Sequence, residues 1–236
     1  MSNKPAPQPR IYFSFRSPYS WLAFRALAIG HPAIVQSAKW IPFWEPDEIS
    51  QRLLAEAGGR FLYTPMSREK HLYVLRDVKR LVTQRGLAMT WPVDRSPWWE
   101  VSHLAYLVAD SHGRGLDFIR LVYRARWELG LDISDRTVVG GVASELGLPR
   151  KAIEGAVEDE DVRRRGTESL LSIYNDSVFG VPYFVNGREV FWGLDRLESF
   201  IASLNEVRNH PPRHEREPVI VDDLKATDFG PCSGCG

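Results

Sequence analysis

Two pairs of side chains in this sequence have the type and spacing for sulfur or anion chemistry. Ser17 and Ser20 bracket Pro18-Tyr19 in YFSFRSPYSWLA, where an apolar strand pattern gives way to a helical one. Cys232 and Cys235 are separated by Ser-Gly in the closing GPCSGCG. A serine at a helix start can cap it, because the first-turn N–H groups have no partner inside the helix. Those same donors, with the positive end of the helix dipole, stabilise a thiolate placed beside them. A neighbouring hydroxyl would add a hydrogen bond to the charged sulfur. The chain has no thiol of its own at that junction. Residue pattern alone favours the capping role for Ser17, and Ser20 reads as an ordinary first-turn polar residue.

The cysteine pair has redox or metal spacing but a poor setting for either. Zinc takes four ligands, and His210 and His214 are separated from the pair by a polar stretch. No strand precedes the pair and no helix follows it, so a helix-dipole mechanism for lowering a thiol pKa has nothing to act through. An accessible tail dithiol is the expectation, and no metal site is predicted.

Around the serine junction, residues 11–15 alternate as a strand, and Ser17-Pro18 supplies an N-cap with proline at the first helical position. The helix buries Tyr19, Leu22, Ala23 and Ala26 and stops near Gly30, after which Ile34 to Phe43 reads as a second strand. Parallel strands joined by a helix make a βαβ unit. Residues 46–177 then read as helical almost throughout. Leu72, Leu75, Val78 and Val82 mark one face, Val101, Leu104, Ala105 and Val108 another, and Ile119, Val122 and Tyr123 a third, with Gly130, Gly147 and Gly166 as punctuation. Strand signals return at Tyr183-Phe184-Val185 and Glu189–Trp192 around an Asn186-Gly187 turn. A last helix carries Leu194, Leu197, Phe200, Ile201 and Leu204 on one face. The fold class is therefore α/β: a βαβ…ββα domain with an inserted all-helical domain. Its expected parts are 10–45 and 178–208 for the sheet domain, 46–177 for the insertion and 209–236 for a flexible tail.

The chain has 236 residues, 44% hydrophobic and 25% charged, with 30 basic side chains balancing 30 acidic ones. Without a net field, nothing draws it to nucleic acid or an anionic membrane surface. No apolar run approaches the roughly 20 residues that span a bilayer, and MSNKPAPQPR lacks a signal-peptide core. The expected setting is cytoplasmic and the expected partner a small molecule.

Three separated segments, FSFRSPYSWLAF, RARWELGLDISD and FGVPYFVNGREVFWGLDRLESF, resemble the 2-hydroxychromene-2-carboxylate isomerase and kappa-class glutathione transferase family, a branch of the DsbA-like thioredoxin superfamily. The resemblance covers about residues 11–207. It implies a thioredoxin-like domain interrupted by helices, a homodimer, and glutathione or another low-molecular-weight thiol bound between the domains. It also implies roles for particular residues. Ser17 matches the catalytic serine whose hydroxyl bonds the glutathione sulfur. Val181-Pro182 matches the cis-proline motif, with the Val181 main chain pairing with the cysteinyl part. Asp195 and Arg196 match the stretch that holds the glutamyl end, with Leu194 where a polar residue is often found. Lys70 matches the lysine that reaches the glycyl carboxylate. No asparagine is matched near Arg60-Phe61, which keeps a different small thiol in view.

The resemblance implies a thiol-dependent cis–trans isomerase acting on a conjugated, aromatic enone or keto acid. A kappa-type transferase would use the same site. A disulfide oxidoreductase needs a thiol at the helix start, and a noncatalytic thiol-binding module would need only the fold. Of the remaining features, core packing accounts for most of Trp40, Trp44, Trp91, Trp98 and Trp99, with an aromatic-lined pocket for a flat substrate as the alternative. The run Glu158–Asp161 followed by Arg163–Arg165 reads as a solvated helix face with internal pairing. His71 and His103 have no recognisable triad partners.

Overall fold

The computed structural model describes residues 8–95 and 97–209. The cysteine pair, His210, His214 and nearly all of the expected tail lie outside the described residues.

Strand β1 (Arg10–Phe13) leads through the turn Ser14–Ser17 into α1 (Pro18–Gly30). The sequence sets both ends of α1: Ser17 caps it, Pro18 occupies the first turn, and the chain leaves after Gly30. The expected strand over 34–43 is half wrong. Residues Pro32–Ser37 form a short helix, α2, and only Lys39–Pro42 form β2. Pro32 opens α2 at its first turn, and Ile34 and Val35 are buried on its inner side. A short apolar run cannot by itself distinguish a buried helical turn from a strand.

Seven helices follow: α3 (Glu48–Glu56), α4 (Arg68–Gln84), α5 (Glu100–Ser111), α6 (Gly115–Tyr123), α7 (Arg136–Glu145), α8 (Arg150–Glu154) and α9 (Glu160–Asn175). A π-helical turn, Arg124–Glu128, extends α6. The chain then returns as β3 (Tyr183–Asn186) and β4 (Glu189–Trp192), a 3-10 turn at Leu194–Arg196, and α10 (Leu197–Asn209).

The sheet order is β2-β1-β3-β4, with β1 parallel to β2 and antiparallel to β3, and β3 antiparallel to β4. This is the expected thioredoxin-like layout with a helical insertion. Tyr12 and Tyr183 are paired across β1 and β3, and the Tyr12 hydroxyl donates to Asp176 at 2.5 Å just beyond α9. On the opposite face of the sheet, Phe184 stacks on Phe200 of α10 with ring centroids 4.9 Å apart. The hairpin turn is shifted by one residue from expectation. Gly187, at φ 62°, and Arg188 are its central pair, while Asn186 stays in the strand and donates its amide to Ser203. Glycine at the first central position suits a II′ turn.

Helix α5 is buried nearly all round, which joins the insertion to the sheet in one core. Gly166 does not punctuate a helix but lies inside α9, where a Cβ would come 2.6 Å from Leu104 Cδ2. Alanine would ordinarily gain about 1 kcal/mol over glycine in a helix interior. Overpacking a filled core costs about 1–3 kcal/mol, and Leu104 is fully buried. Gly166→Ala is therefore expected to lower stability by about 1 kcal/mol, read as a lower urea midpoint; a higher midpoint would show that Leu104 moves aside freely. Arg163 also departs from expectation. It is 7% exposed and bonds Asp47 and Ser50 of the α3 start, whereas Arg164 pairs with Asp161 and Glu168 on the exposed face of α9.

Candidate active site

The junction between β1 and α1 is fixed from several directions. Ser17 Oγ accepts from the Ser20 N–H at 3.2 Å, and the Trp21 N–H donates to the Ser17 carbonyl at 3.1 Å. Pro18 has no N–H, so the N–H of Tyr19 is the first-turn donor left open among the described residues. The Ser17 hydroxyl donates to the Val181 carbonyl at 3.4 Å. That contact is long for an O–H···O bond, so the hydroxyl can turn to a better acceptor at small cost. The Val181–Pro182 peptide is cis. The structure thus brings Ser17, Val181 and Pro182 together, 164 residues apart in sequence for the bonded pair.

Pro182 extends the site to the last helix. Its carbonyl accepts from the Gly193 N–H at 2.9 Å, and Gly193, at φ 98°, turns the chain into Leu194–Arg196. A side chain is strained at that φ, and Asp195 Oδ1 lies 2.6 Å from where a Cβ would sit. The 3-10 turn packs on α1. Asp195 and Arg196 pair at 3.1 Å with side chains 72% and 60% exposed, a surface pair worth little against a better partner.

Lys70 stands apart from this group. It lies in the first turn of α4, its N–H donating to the cap Ser67 and its side chain exposed. Nothing among the described residues bonds it to the Ser17 junction. The link is indirect: the Tyr19 hydroxyl donates to Asp77 at 2.8 Å, and Asp77 is two helical turns beyond Lys70 on the same side of α4. Arg80 beside Asp77 holds that carboxyl below the usual range, with the Tyr19 bond acting in the same direction.

The insertion holds the junction from behind. His103 of α5 is fully buried. Its Nδ1 lies 2.7 Å from the Trp99 carbonyl, which requires the proton on Nδ1. Nε2 then accepts from the Phe15 N–H at 3.2 Å and lies 3.3 Å from Ser14 Oγ. Burial pushes the imidazole pKa down to about 3, so the ring is neutral. Tyr123 donates to the Ser14 carbonyl at 3.2 Å and Trp127 to the Phe15 carbonyl at 3.1 Å. The same helix secures the loop after β2, where Glu100 accepts from Trp44 Nε1 at 3.1 Å and from the Asp47 N–H at 2.5 Å. Burial raises the Glu100 pKa, partly offset by these donors.

Sequence reading did not single out Arg16, Tyr19 as a donor, Glu100, or His103 as a brace. Arg16 had one signal, a charged residue directly before Ser17 at a strand-to-helix turn; the rest depend on contacts between distant segments. Two surface cavities of about 340 and 360 Å3 are lined by other residues, such as Arg76 and Arg80 in one and Trp40 and Asp110 in the other. Convergent polar geometry, not cavity volume, marks the Ser17 junction.

Comparison with known proteins adds the following. Residues 10–205 match the family model of the DSBA-like thioredoxin domain. A 2-hydroxychromene-2-carboxylate isomerase of Sphingobium xenophagum is 27% identical over 192 residues, 79% of this chain and 92% of the relative. Among solved structures, a 2-hydroxychromene-2-carboxylate isomerase superposes with a TM-score of 0.63 at 20% identity, covering 85% of this chain and 96% of the other. The cytosolic disulfide reductase DsbM of Pseudomonas aeruginosa, solved with GSH, superposes with a TM-score of 0.55 at 17% identity, covering 86% and 99%.

Proposed function

This chain belongs to the DSBA-like thioredoxin domain family, and within it we propose that the protein is a glutathione-dependent cis–trans isomerase of a conjugated carbonyl compound. The observation that carries the reading is the weakly held Ser17 hydroxyl, 3.4 Å from the Val181 carbonyl, beside the open N–H of Tyr19. Two donors converge where a sulfur can lie, and the helix dipole adds to them. The isomerase relatives support the choice of reaction.

Bound glutathione would supply a thiolate for reversible addition to the conjugated compound, which would free the double bond to rotate before elimination. Ser17 and the Tyr19 N–H would hold the negative sulfur, both as nucleophile and as leaving group. The Val181 main chain offers strand-like pairing to the cysteinyl segment. Asp195 and Arg196 would meet the glutamyl ammonium and carboxylate, and Lys70 the glycyl carboxylate. The reading includes a homodimeric assembly. A transferase would use the same groups and stop after addition, and product analysis separates the two.

Calorimetric titration with glutathione, paired with a geometric-isomerisation assay on an aromatic enone acid, tests the proposal. The expected result is one thiol bound per chain and turnover that ceases without it. Turnover independent of added thiol, or absence of both binding and turnover, would overturn it.

A further inference from the structure

We propose that Arg16 is the specificity-determining residue that selects a carboxylate-bearing substrate, exchanging its present partner Glu45 for the substrate's carboxylate. This inference rests on the isomerase reading for the reaction, and on geometry of its own for the recognition.

Arg16 immediately precedes Ser17 in the turn that joins β1 to α1. Arg16 and Glu45 each stand three residues beyond the C-terminal ends of the parallel strands β1 and β2. In open α/β sheets ligands bind at this end of the strands. Their Nη1–Oε2 distance is 3.1 Å, and the side chains are 45% and 48% exposed. An exposed pair of this kind contributes little, so an incoming carboxylate can replace Glu45 without a large cost.

The arginine is nevertheless held in place. Its guanidinium carbon lies 5.3 Å from the centre of the Trp99 ring, within cation–π range. Trp99 is itself 6% exposed and also packs against Arg126, at 5.1 Å. Arg126 is fixed by a bidentate pair with Asp94 at 2.9 and 2.7 Å. Both loops that carry the pair are tied to α5, through His103 on Phe15 and Glu100 on Trp44 and Asp47. A charged fork on an aromatic platform, backed by fixed loops and opposed only by an exchangeable carboxylate, suits bidentate recognition of a planar acid.

The test compares cinnamate with cinnamamide, two flat unsaturated probes that differ in charge, by quenching of tryptophan fluorescence in the full chain. Wild-type protein is expected to bind cinnamate about tenfold more tightly, and Arg16→Gln to abolish that preference while leaving cinnamamide binding and the melting temperature unchanged. Glu45→Gln is expected to tighten cinnamate about two- to fivefold by removing the competitor. No wild-type preference, a preference that survives Arg16→Gln, or weaker cinnamate binding in Glu45→Gln would overturn the assignment. An Arg16-dependent preference without any glutathione-dependent turnover would leave Arg16 standing and remove the isomerase reading. Thiol-dependent turnover with a preference independent of Arg16 would do the reverse.

Discussion

Ser17→Ala is expected to cut glutathione-dependent turnover by about 10- to 150-fold while the protein remains folded. The range follows from a hydrogen bond to a charged group, worth about 1.5–3 kcal/mol. That bond would be made by the hydroxyl that now points at the Val181 carbonyl. The same substitution should raise the pKa of the bound thiol by about 1–2 units, read from thiolate absorbance against pH. The substitution also removes the acceptor for the Ser20 N–H, a loss of about 1 kcal/mol of capping, which a denaturation curve separates from the catalytic effect. Ser17→Thr keeps both a hydroxyl and a capping oxygen and should restore much of the activity. If Ser17→Ala lowers stability but leaves turnover and the thiol pKa unchanged, residue 17 is a cap and nothing more.

Acid should weaken the wild-type fold through His103, with a steep dependence that a non-titrating residue at that position removes. The imidazole is buried, and its pKa is pushed down to about 3, against about 6.5 in an unfolded chain. Between those values the unfolded state binds a proton that the folded state refuses, so stability falls as pH drops through 6.5 and goes on falling to about 3. At pH 5 the cost is about 2 kcal/mol relative to pH 7. The physical reason is burial, which denies the charged ring its hydration, and a protonated Nε2 would also lose its bond from the Phe15 N–H. Urea unfolding of wild type and His103→Gln at pH 7 and pH 5 checks this. The variant starts lower, having lost a matched buried group, but should lose about 2 kcal/mol less on acidification. The other titrating groups are common to both proteins and cancel in the comparison. Equal losses would mean that His103 takes up its proton without opening the fold.

The two predictions meet at one stretch of chain and show how differently its parts could be read. Ser17-Pro18 announces a helix start by residue type alone, and α1 begins and ends where those signals put it. The hairpin was legible to within one residue, but the placement of Asn186 was not, because its strand position is secured by Ser203 of α10. The segment from Ile34 to Ser37 was misread, since an apolar run of that length packs equally well as a strand or as a turn of helix. Arg163, read as solvated, proved to be a buried tie to Asp47 across 116 residues of sequence, and nothing in an acidic run followed by a basic one distinguishes the inward member.

By itself the sequence determined the order of the strands, the capped start of α1, and the lack of a thiol at that start. These are local matters of backbone preference, capping and composition, fixed by neighbours in the chain. Tertiary structure alone decided what surrounds that start: Val181 against Ser17, Arg16 laid on Trp99 and paired with Glu45, and His103 held neutral behind Phe15. Each depends on burial and on distances between segments far apart in the chain, which are set only when the insertion closes against the sheet.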